Sequence, residues 1–394
     1  MISIDASQST GGGLVLRGAL ALSVLTGRAV RLTRIRARRT SPGLKLQHLR
    51  IIELLARMSH ASVSGGTIGS QTLVFEPRRA PRADAVIEID TPGSLTLLLQ
   101  TLLLPLSFSG RPSRLRLAGV THAPRSPAYE NLAWHWLPQL ARAGYGANVN
   151  LEVVGFAPKG GGIVHAMIQP VVSVEPLLLV KRGALLRVTG QSVVACLNQS
   201  VAERQRRHVI SRLNHLDVPV HLVSGTICAA VPGTFIMLLA EYEHSQQCFF
   251  ALGELGKPPE AVAKEVSDAL LACFDGGGAV DSHLAAQLLL PLSFACGESE
   301  LSTSKISEHM FVTAELIDLF LSGTVSVNGR VGDPGSLIVR GRGLPQPAMQ
   351  SCSSEAESRQ AGWAAAAANQ RLSTAPQIVH SAAGLGRMSA RTAP

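Results

Sequence analysis

Hydrophobic and polar positions along the chain fall into short blocks, and the blocks predict small units of strand and helix. Ile2 to Ala6 reads as a strand running into Thr10-Gly11-Gly12-Gly13, and Leu14 to Leu25 as a helix closed by Gly27. A strand follows at Ala29 to Ile35, then a turn at Ser41-Pro42-Gly43. A second helix starts near Lys45, with Leu49, Ile52, Leu55 and Met58 as its buried stripe. Strands are predicted at Gln71 to Phe75 and Ala85 to Ile89. Ser94 to Leu104 reads as a helix apolar on nearly all sides, which places it in the middle of the protein. Leu115 and Leu117 alternate with Arg114 and Arg116, as in a half-exposed strand. Ser126-Pro127 reads as the N-cap and first turn of a helix reaching Arg142. Strands at Val149 to Val154 and Gly162 to Ile168 flank Lys159-Gly160-Gly161-Gly162.

Small β/α units of this kind imply an α/β or α+β class. From about Glu175 the pattern restarts, with helices through Val201 to Leu213 and Glu260 to Phe274. Residues 175–278 are therefore expected to form a smaller inserted domain, with 1–174 and 279–339 forming one large domain. A short internal repeat supports that division. Leu102-Leu103-Leu104-Pro105-Leu106-Ser107-Phe108 recurs as Leu288-Leu289-Leu290-Pro291-Leu292-Ser293-Phe294. The low-complexity stretch 340–394 reads as a disordered tail.

With 394 residues, 46% of them hydrophobic and 16% charged, the chain can bury a large core and is not a disordered protein. A formal charge of +9 favours polyanionic partners. Arg28, Arg31, Arg34, Arg36, Arg38, Arg39, Lys45, Arg50 and Arg57 are opposed between them by Glu53 alone. The six cysteines show no CxxC pairing and sit mostly in apolar runs, so buried free thiols are expected. No secretory signal opens the chain and no apolar stretch is long enough for a bilayer, so a cytoplasmic location is expected.

Neither Gly-rich loop is a P-loop or a GxGxxG fingerprint. Gly11-Gly12-Gly13 nevertheless precedes a helix, where exposed N–H groups can hold a phosphate, although tight turns account for most such triplets. Gln100 is a polar side chain on an apolar helix, with Thr96 one turn earlier, and a buried amide needs a backbone or ligand partner. His283 and Gln287 lie four apart and share a helix face. Ser307 and Glu308 put His309 at the start of the last long helix, where the positive helix end favours a neutral imidazole. A neutral imidazole is a nucleophile, and its phosphoramidate is a good donor. An ordinary first-turn histidine is the plain alternative. His122 stands at nearly the same distance from its own copy of the repeat, so the repeat alone does not choose between the two. No histidine forms an HExxH or Cys/His cluster, so no metal-binding residues are assigned.

The chain resembles the RNA 3′-terminal phosphate cyclases from about Ile2 to Val339. The segments that carry the resemblance are Arg36-Ala37-Arg38-Arg39, Pro42-Gly43-Leu44, Gln47-His48-Leu49, Gly69-Ser70-Gln71, Gly93-Ser94 with Gln100, Gly155 to Gly162, Leu284 to Pro291, and His309. The resemblance implies three repeated β/α units with a small thioredoxin-like domain inserted before the last. It implies that His309 is the catalytic histidine and that Gln100 contacts ATP. A second ATP-binding stretch is His283, Leu284, Ala285, Ala286 and Gln287. The resemblance likewise implies that Arg17, Arg36, Arg39 and Gln47 bind phosphate or RNA.

The implied cofactors are ATP and Mg²⁺ or Mn²⁺, and the implied partner is an RNA 3′-phosphate end. The implied chemistry is a histidine-AMP intermediate whose AMP activates that phosphate for closure to a 2′,3′-cyclic phosphate. The chain departs from the family where Thr10 replaces a glutamate, Leu14 a glutamine, His283 a tyrosine and Ala286 an aspartate. His122 stands where the family has an acidic residue, and Val312-Thr313 where it favours Thr-Asn. The lost carboxylates are expected to weaken metal and ribose contacts. Two alternatives are a non-catalytic RNA-binding relative of the ribosome-assembly kind and a small-molecule transferase like the enolpyruvyl transferases. The residues set neither the physiological RNA nor the oligomeric state.

Overall fold

The structure, a computed structural model, describes residues 1–7, 12–84 and 86–343. It is a mixed α/β protein with four four-stranded sheets. The first is built from β1 (Ile2–Asp5), β2 (Val30–Thr33), β3 (Ser62–Ser64) and β4 (Leu73–Glu76), with α1 (Gly12–Thr26) and α2 (Leu46–Ser59) between them. Its order is β1-β2-β4-β3, with β1 and β2 parallel and the other neighbours antiparallel.

The second sheet repeats that order. It runs through β5 (Val86–Ser94), α3 (Leu95–Ser107), β6 (Ser113–Val120), a helix over 129–142, β7 (Ala147–Val153) and β8 (Gly162–Ile168), arranged β5-β6-β8-β7. The helix comprises α4 (Tyr129–Asn131), a π-helical stretch (Leu132–Trp136) and α5 (Leu137–Arg142).

After β9 (Leu178–Leu179) the chain leaves to build a third sheet from β10 (Leu185–Ala195), β11 (Val220–Thr226), β12 (Gly233–Tyr242) and β13 (Gln246–Leu252). Its order is β11-β10-β12-β13, and α6 (Ser200–Leu213) and α7 (Pro259–Gly276) cover one face. The chain returns through α8 (Ser282–Leu292), β14 (Glu298–Thr303), α9 (Glu308–Phe320), β15 (Val325–Asn328) and β16 (Gly335–Arg340). These close a fourth sheet of order β9-β14-β16-β15, again with one parallel pair. A parallel pair needs a crossover, and α1, α3 and α8 lie on the crossovers of the first, second and fourth sheets, as α6 does on that between the parallel β10 and β11 of the third.

The third sheet is a partition. Along β12, Phe235, Met237 and Leu239 join the large core, while Ile236, Leu238 and Ala240 join a second core with Val209, Val262 and Val266. Strand side chains alternate between faces, so burial of both faces produces the unbroken apolar run of this strand. The helices in the large core are equally apolar. Eleven residues of α3 are buried, including Leu98, Leu99, Leu102 and Leu103, as its pattern predicts. α1 packs on α3 and α9, and α8 packs on α9. At Gly18 the contact between α1 and α9 is close, since a Cβ there would lie 2.6 Å from Leu316 Cδ2.

Three sequence expectations need correction. Ser126 and Pro127 do not open the fourth helical segment: Ala128 holds the N-cap, and the Pro127 carbonyl instead accepts from Thr96 Oγ1 at 2.7 Å. Nor are the cysteines mostly buried. Cys248 and Cys273 are, but Cys196, Cys228 and Cys296 lie in exposed connections just beyond strand or helix ends, and Cys352 is outside the described residues. The expected tail also begins too early, because Arg340 still pairs with Glu298 in the fourth sheet, and the stretch from 344 onward lies outside the described residues. Among the described residues no helix is long and apolar enough to cross a membrane.

The Gly18 contact yields a test. Gly18→Val should overfill the α1–α9 seam and cost about 1–3 kcal/mol. Leu316→Ala in the same chain should restore part of that loss. Thermal unfolding of the two single variants and the pair checks this, and simple additivity would rule out the contact as the cause.

Candidate functional site

The helices that fill the large core also line one cleft of about 1060 Å³. Its walls carry Arg17 from α1, Gln47 and His48 from α2, Gln100 from α3, and His283, Ala286 and Gln287 from α8. His309 and Thr313 come from α9, Arg36 and Arg39 from the loop after β2, and Phe249, Phe250 and Lys257 from the third sheet and the loop beyond it. Nine of the eleven residues picked from sequence therefore meet here. Leu284 and Ala285 do not. They are fully buried on the opposite side of α8, because a helix of 3.6 residues per turn cannot present five consecutive side chains to one space.

The segments singled out in the sequence fasten this arrangement. Gly43 has φ +76, and a Cβ on it would lie 2.1 Å from the Gly69 carbonyl oxygen. Leu44 N–H donates to Ser70 O and Gly69 N–H to Leu44 O, both at 2.9 Å. The loop bearing Arg36 and Arg39 is thus pinned to the Gly69-Ser70 turn, and only glycine fits the approach. Gly93 does the same for Gln47, whose Oε1 lies 2.5 Å from the Cβ position of that glycine. Thr10 and Gly11 fall outside the described residues.

The cleft is electropositive and holds polar atoms without partners. Arg17 has no carboxylate within ion-pair distance among the described residues, and burial pushes its pKa down to about 10. Its guanidinium stays charged at neutral pH. His48 is 2% exposed, and its pKa is pushed down to about 4 by burial and then by Arg36, Arg17 and Lys45. Gln100 Nε2, Asn131 Oδ1, Gln287 Oε1 and Thr313 Oγ1 are buried with no hydrogen-bond partner among the described residues. Four unsatisfied polar atoms around one concavity mark places where ligand atoms can bond.

His309 is the second residue of α9 and is exposed to the cleft. Ser307 occupies the N-cap with extended backbone, but its buried Oγ makes no hydrogen bond among the described residues. Burial and the neighbouring His283, with a smaller push from Arg17, hold the His309 pKa below the ordinary histidine value against Glu308, which raises it. The imidazole is therefore neutral at physiological pH. His122, its rival by spacing, is fully buried elsewhere. Its Nε2 lies 2.8 Å from Glu130 Oε2 and its ring 4.3 Å from that of Phe235, and it does not itself line the cleft, although its ring packs behind the cleft wall on Phe250.

Sequence reasoning missed Asn131 and the wall supplied by residues 248–257, for which no motif gives a signal. It also passed over His48, although Gln47-His48 was among its segments. Among the described residues no group of three or more His, Cys, Asp or Glu side chains could hold a metal ion.

Comparison with known proteins adds the following. A family model described as RNA 3′-terminal phosphate cyclase matches residues 8–327. An RNA 3′-terminal phosphate cyclase of Methylococcus capsulatus is 37% identical over 353 residues, covering 88% of this chain and 97% of that protein. One from Pyrococcus abyssi is 36% identical over 339 residues, covering 86% of this chain and 98% of that protein. Among solved structures, the enolpyruvyl transferase NikO from Streptomyces tendae aligns over 87% of this chain and 49% of its own. Its TM-score of 0.36 and 10% identity are too low to bear on fold or function.

Two outcomes follow from the charges in the cleft. Arg17→Met should leave the ligand-free protein as stable or more so, because a desolvated unpaired cation is removed, yet abolish stabilisation by pyrophosphate. Thermal midpoints with and without pyrophosphate check this, and a variant that keeps the full pyrophosphate shift would sink the anion-site assignment. The second outcome concerns pH. Folded His48 stays neutral down to about pH 4, whereas an unfolded histidine takes up its proton near pH 6.5. Between those values the unfolded state holds the extra proton, so stability falls on acidification from about 6.5 to 4, by at most about 3 kcal/mol. Unfolding free energies across that range should show a shallower slope for His48→Gln.

Proposed function

The chain belongs to the RNA 3′-terminal phosphate cyclase family, and we propose that it converts an RNA 3′-terminal phosphate to a 2′,3′-cyclic phosphodiester at the expense of ATP, with His309 as the nucleophile. The single observation that carries this reading is the meeting in one cleft of a neutral, exposed imidazole, a set of unpartnered amide and hydroxyl atoms, and the Arg17, Arg36 and Arg39 cations. A nucleophile, a place for a nucleoside and a place for phosphates are the three parts the reaction needs.

A 3′-phosphate monoester resists attack because its charge repels nucleophiles and it lacks a leaving group. His309 attacks the α-phosphorus of ATP and pyrophosphate departs, leaving AMP on the ring nitrogen. An oxygen of the RNA phosphate then takes the AMP from the imidazole, forming a phosphoanhydride. The adjacent 2′-oxygen attacks the RNA phosphorus, loses its proton, and expels AMP. Tethering of that hydroxyl supplies most of what the last step needs, and deoxyribose cannot take part.

Gln100 and Gln287 offer a donor and an acceptor to the nucleotide. Arg17, Arg36, Arg39 and Gln47 receive the phosphates. A divalent metal bound with the nucleotide would take one or two of its ligands from carboxylates of the protein. Glu254 and Glu265 are the carboxylates on the lining, and Ala286 offers none. When bound, the ion offsets phosphate charge.

The matching strand order of the first, second and fourth sheets supports reading them as three copies of one βαβαββ unit, with the third sheet inserted between β9 and α8. The sixth residue of each crossover helix is then Arg17, Gln100 or Gln287, and the second residue of each following helix is Gln47, Glu130 or His309.

Incubation with α-³²P-ATP and Mg²⁺ should give an acid-labile label on the wild type and none on His309→Ala, and a 3′-phosphorylated RNA should chase the label off. Because the His309 pKa is lowered, the nucleophilic form persists on acidification. Labelling should therefore hold past about pH 6.5 and fall only below it. No label with Mg²⁺ or Mn²⁺ would replace the cyclase reading by that of a non-catalytic RNA-binding relative.

A further inference from the structure

His48 is a buried polar group that the steps above do not use. Its Nδ1 accepts the Lys45 N–H at 3.0 Å, which caps α2 and fixes the ring proton on Nε2. That nitrogen faces the cleft lining and has no hydrogen-bond partner among the described residues. A point one Cβ away from Gly13 lies 3.6 Å from His48 Nε2 and 2.9 Å from Arg17 Nη1. Two donors thus converge where glycine leaves room, beside the start of α1. One belongs to a residue 2% exposed and the other to a guanidinium with no carboxylate within ion-pair distance among the described residues.

We propose that His48 is a phosphate-binding residue: its Nε2–H and the Arg17 guanidinium form the two prongs of an anion site at Gly13 that takes oxygens of a phosphate group. This rests on the reading of the cleft as a nucleotide and RNA-phosphate site and adds a residue and a geometry to it. The tautomer decides the role. With Nδ1 occupied by the Lys45 N–H, Nε2 can donate but cannot accept, so His48 is not a base for the 2′-hydroxyl. Its neutrality spares the site the cost of burying another cation beside Arg17, Arg36 and Lys45.

The bound phosphate could come from the nucleotide or from the RNA end, and the test separates them. His48→Gln keeps both an acceptor for Lys45 N–H and an N–H donor. His48→Met keeps only an acceptor, as Met310 Sδ does for Ser307 N–H at the head of α9. Calorimetric titration of the full chain would use pyrophosphate, a short RNA ending in 3′-phosphate, and the same RNA ending in 3′-hydroxyl. His48→Gln should bind within about 3-fold of wild type, while His48→Met should lose about 10- to 100-fold toward one of the first two probes and nothing toward the third. The probe that weakens identifies the source.

Unchanged binding of both phosphate probes by a folded His48→Met overturns the site. Should that variant unfold, the wild-type His48 ring resonance decides: an Nε2–H signal that shifts on saturation with either probe supports the site, and an unmoved one overturns it. Wild-type protein that ignores the 3′-phosphate while its pyrophosphate affinity still depends on His48 would refute the RNA reading and leave this site standing.

Discussion

Everything in the cleft depends on the burial of α1, α3, α8 and α9 against one another and their sheets. These helices are so apolar that only a central position satisfies them, and each buried leucine contributes about 1.5–3 kcal/mol. Their few polar residues then have one place to go. Arg17, Gln100 and Gln287 cannot point into leucine packing without large cost, so they border the cleft. The core thus sets the site geometry, and the backbone contacts at Gly43 and Gly93 add the basic loop and Gln47 to it.

The electrostatics follow the same logic. Arg17 carries its charge in a place where nothing in the described protein answers it, and His48 and His309 are held neutral beside it. A cleft that is cationic yet lined by uncharged imidazoles attracts polyphosphate and keeps a nitrogen lone pair available on His309. A carboxylate placed to relieve Arg17 would stabilise the empty protein and compete with the substrate.

Much of this was legible in the chain itself. The α/β class, the all-round apolar helix with Gln100 and the helix-start position of His309 each follow from local periodicity and capping chemistry. What periodicity could not supply was depth. Leu284 and Ala285 sit in a contiguous motif, but the helix turns them into the core. His122 and His309 look alike by spacing, and only the fold sends one to Glu130 and the other to the cleft. The exposed cysteines follow from chain direction just past an element end, which a run of apolar neighbours hides. Asn131 and the wall from the third sheet come from distant parts of the chain, so no local pattern announces them.

The partition formed by β10, β12 and β13 has a mechanical consequence. One face of this sheet is welded to the large core through Phe235, Met237 and Leu239, and its last strand supplies a wall of the cleft. Swinging that wall outward would wet those side chains at about 1.5–3 kcal/mol apiece. Parting the two halves of the molecule like jaws is therefore costly, and the core that holds them together also holds that wall in place.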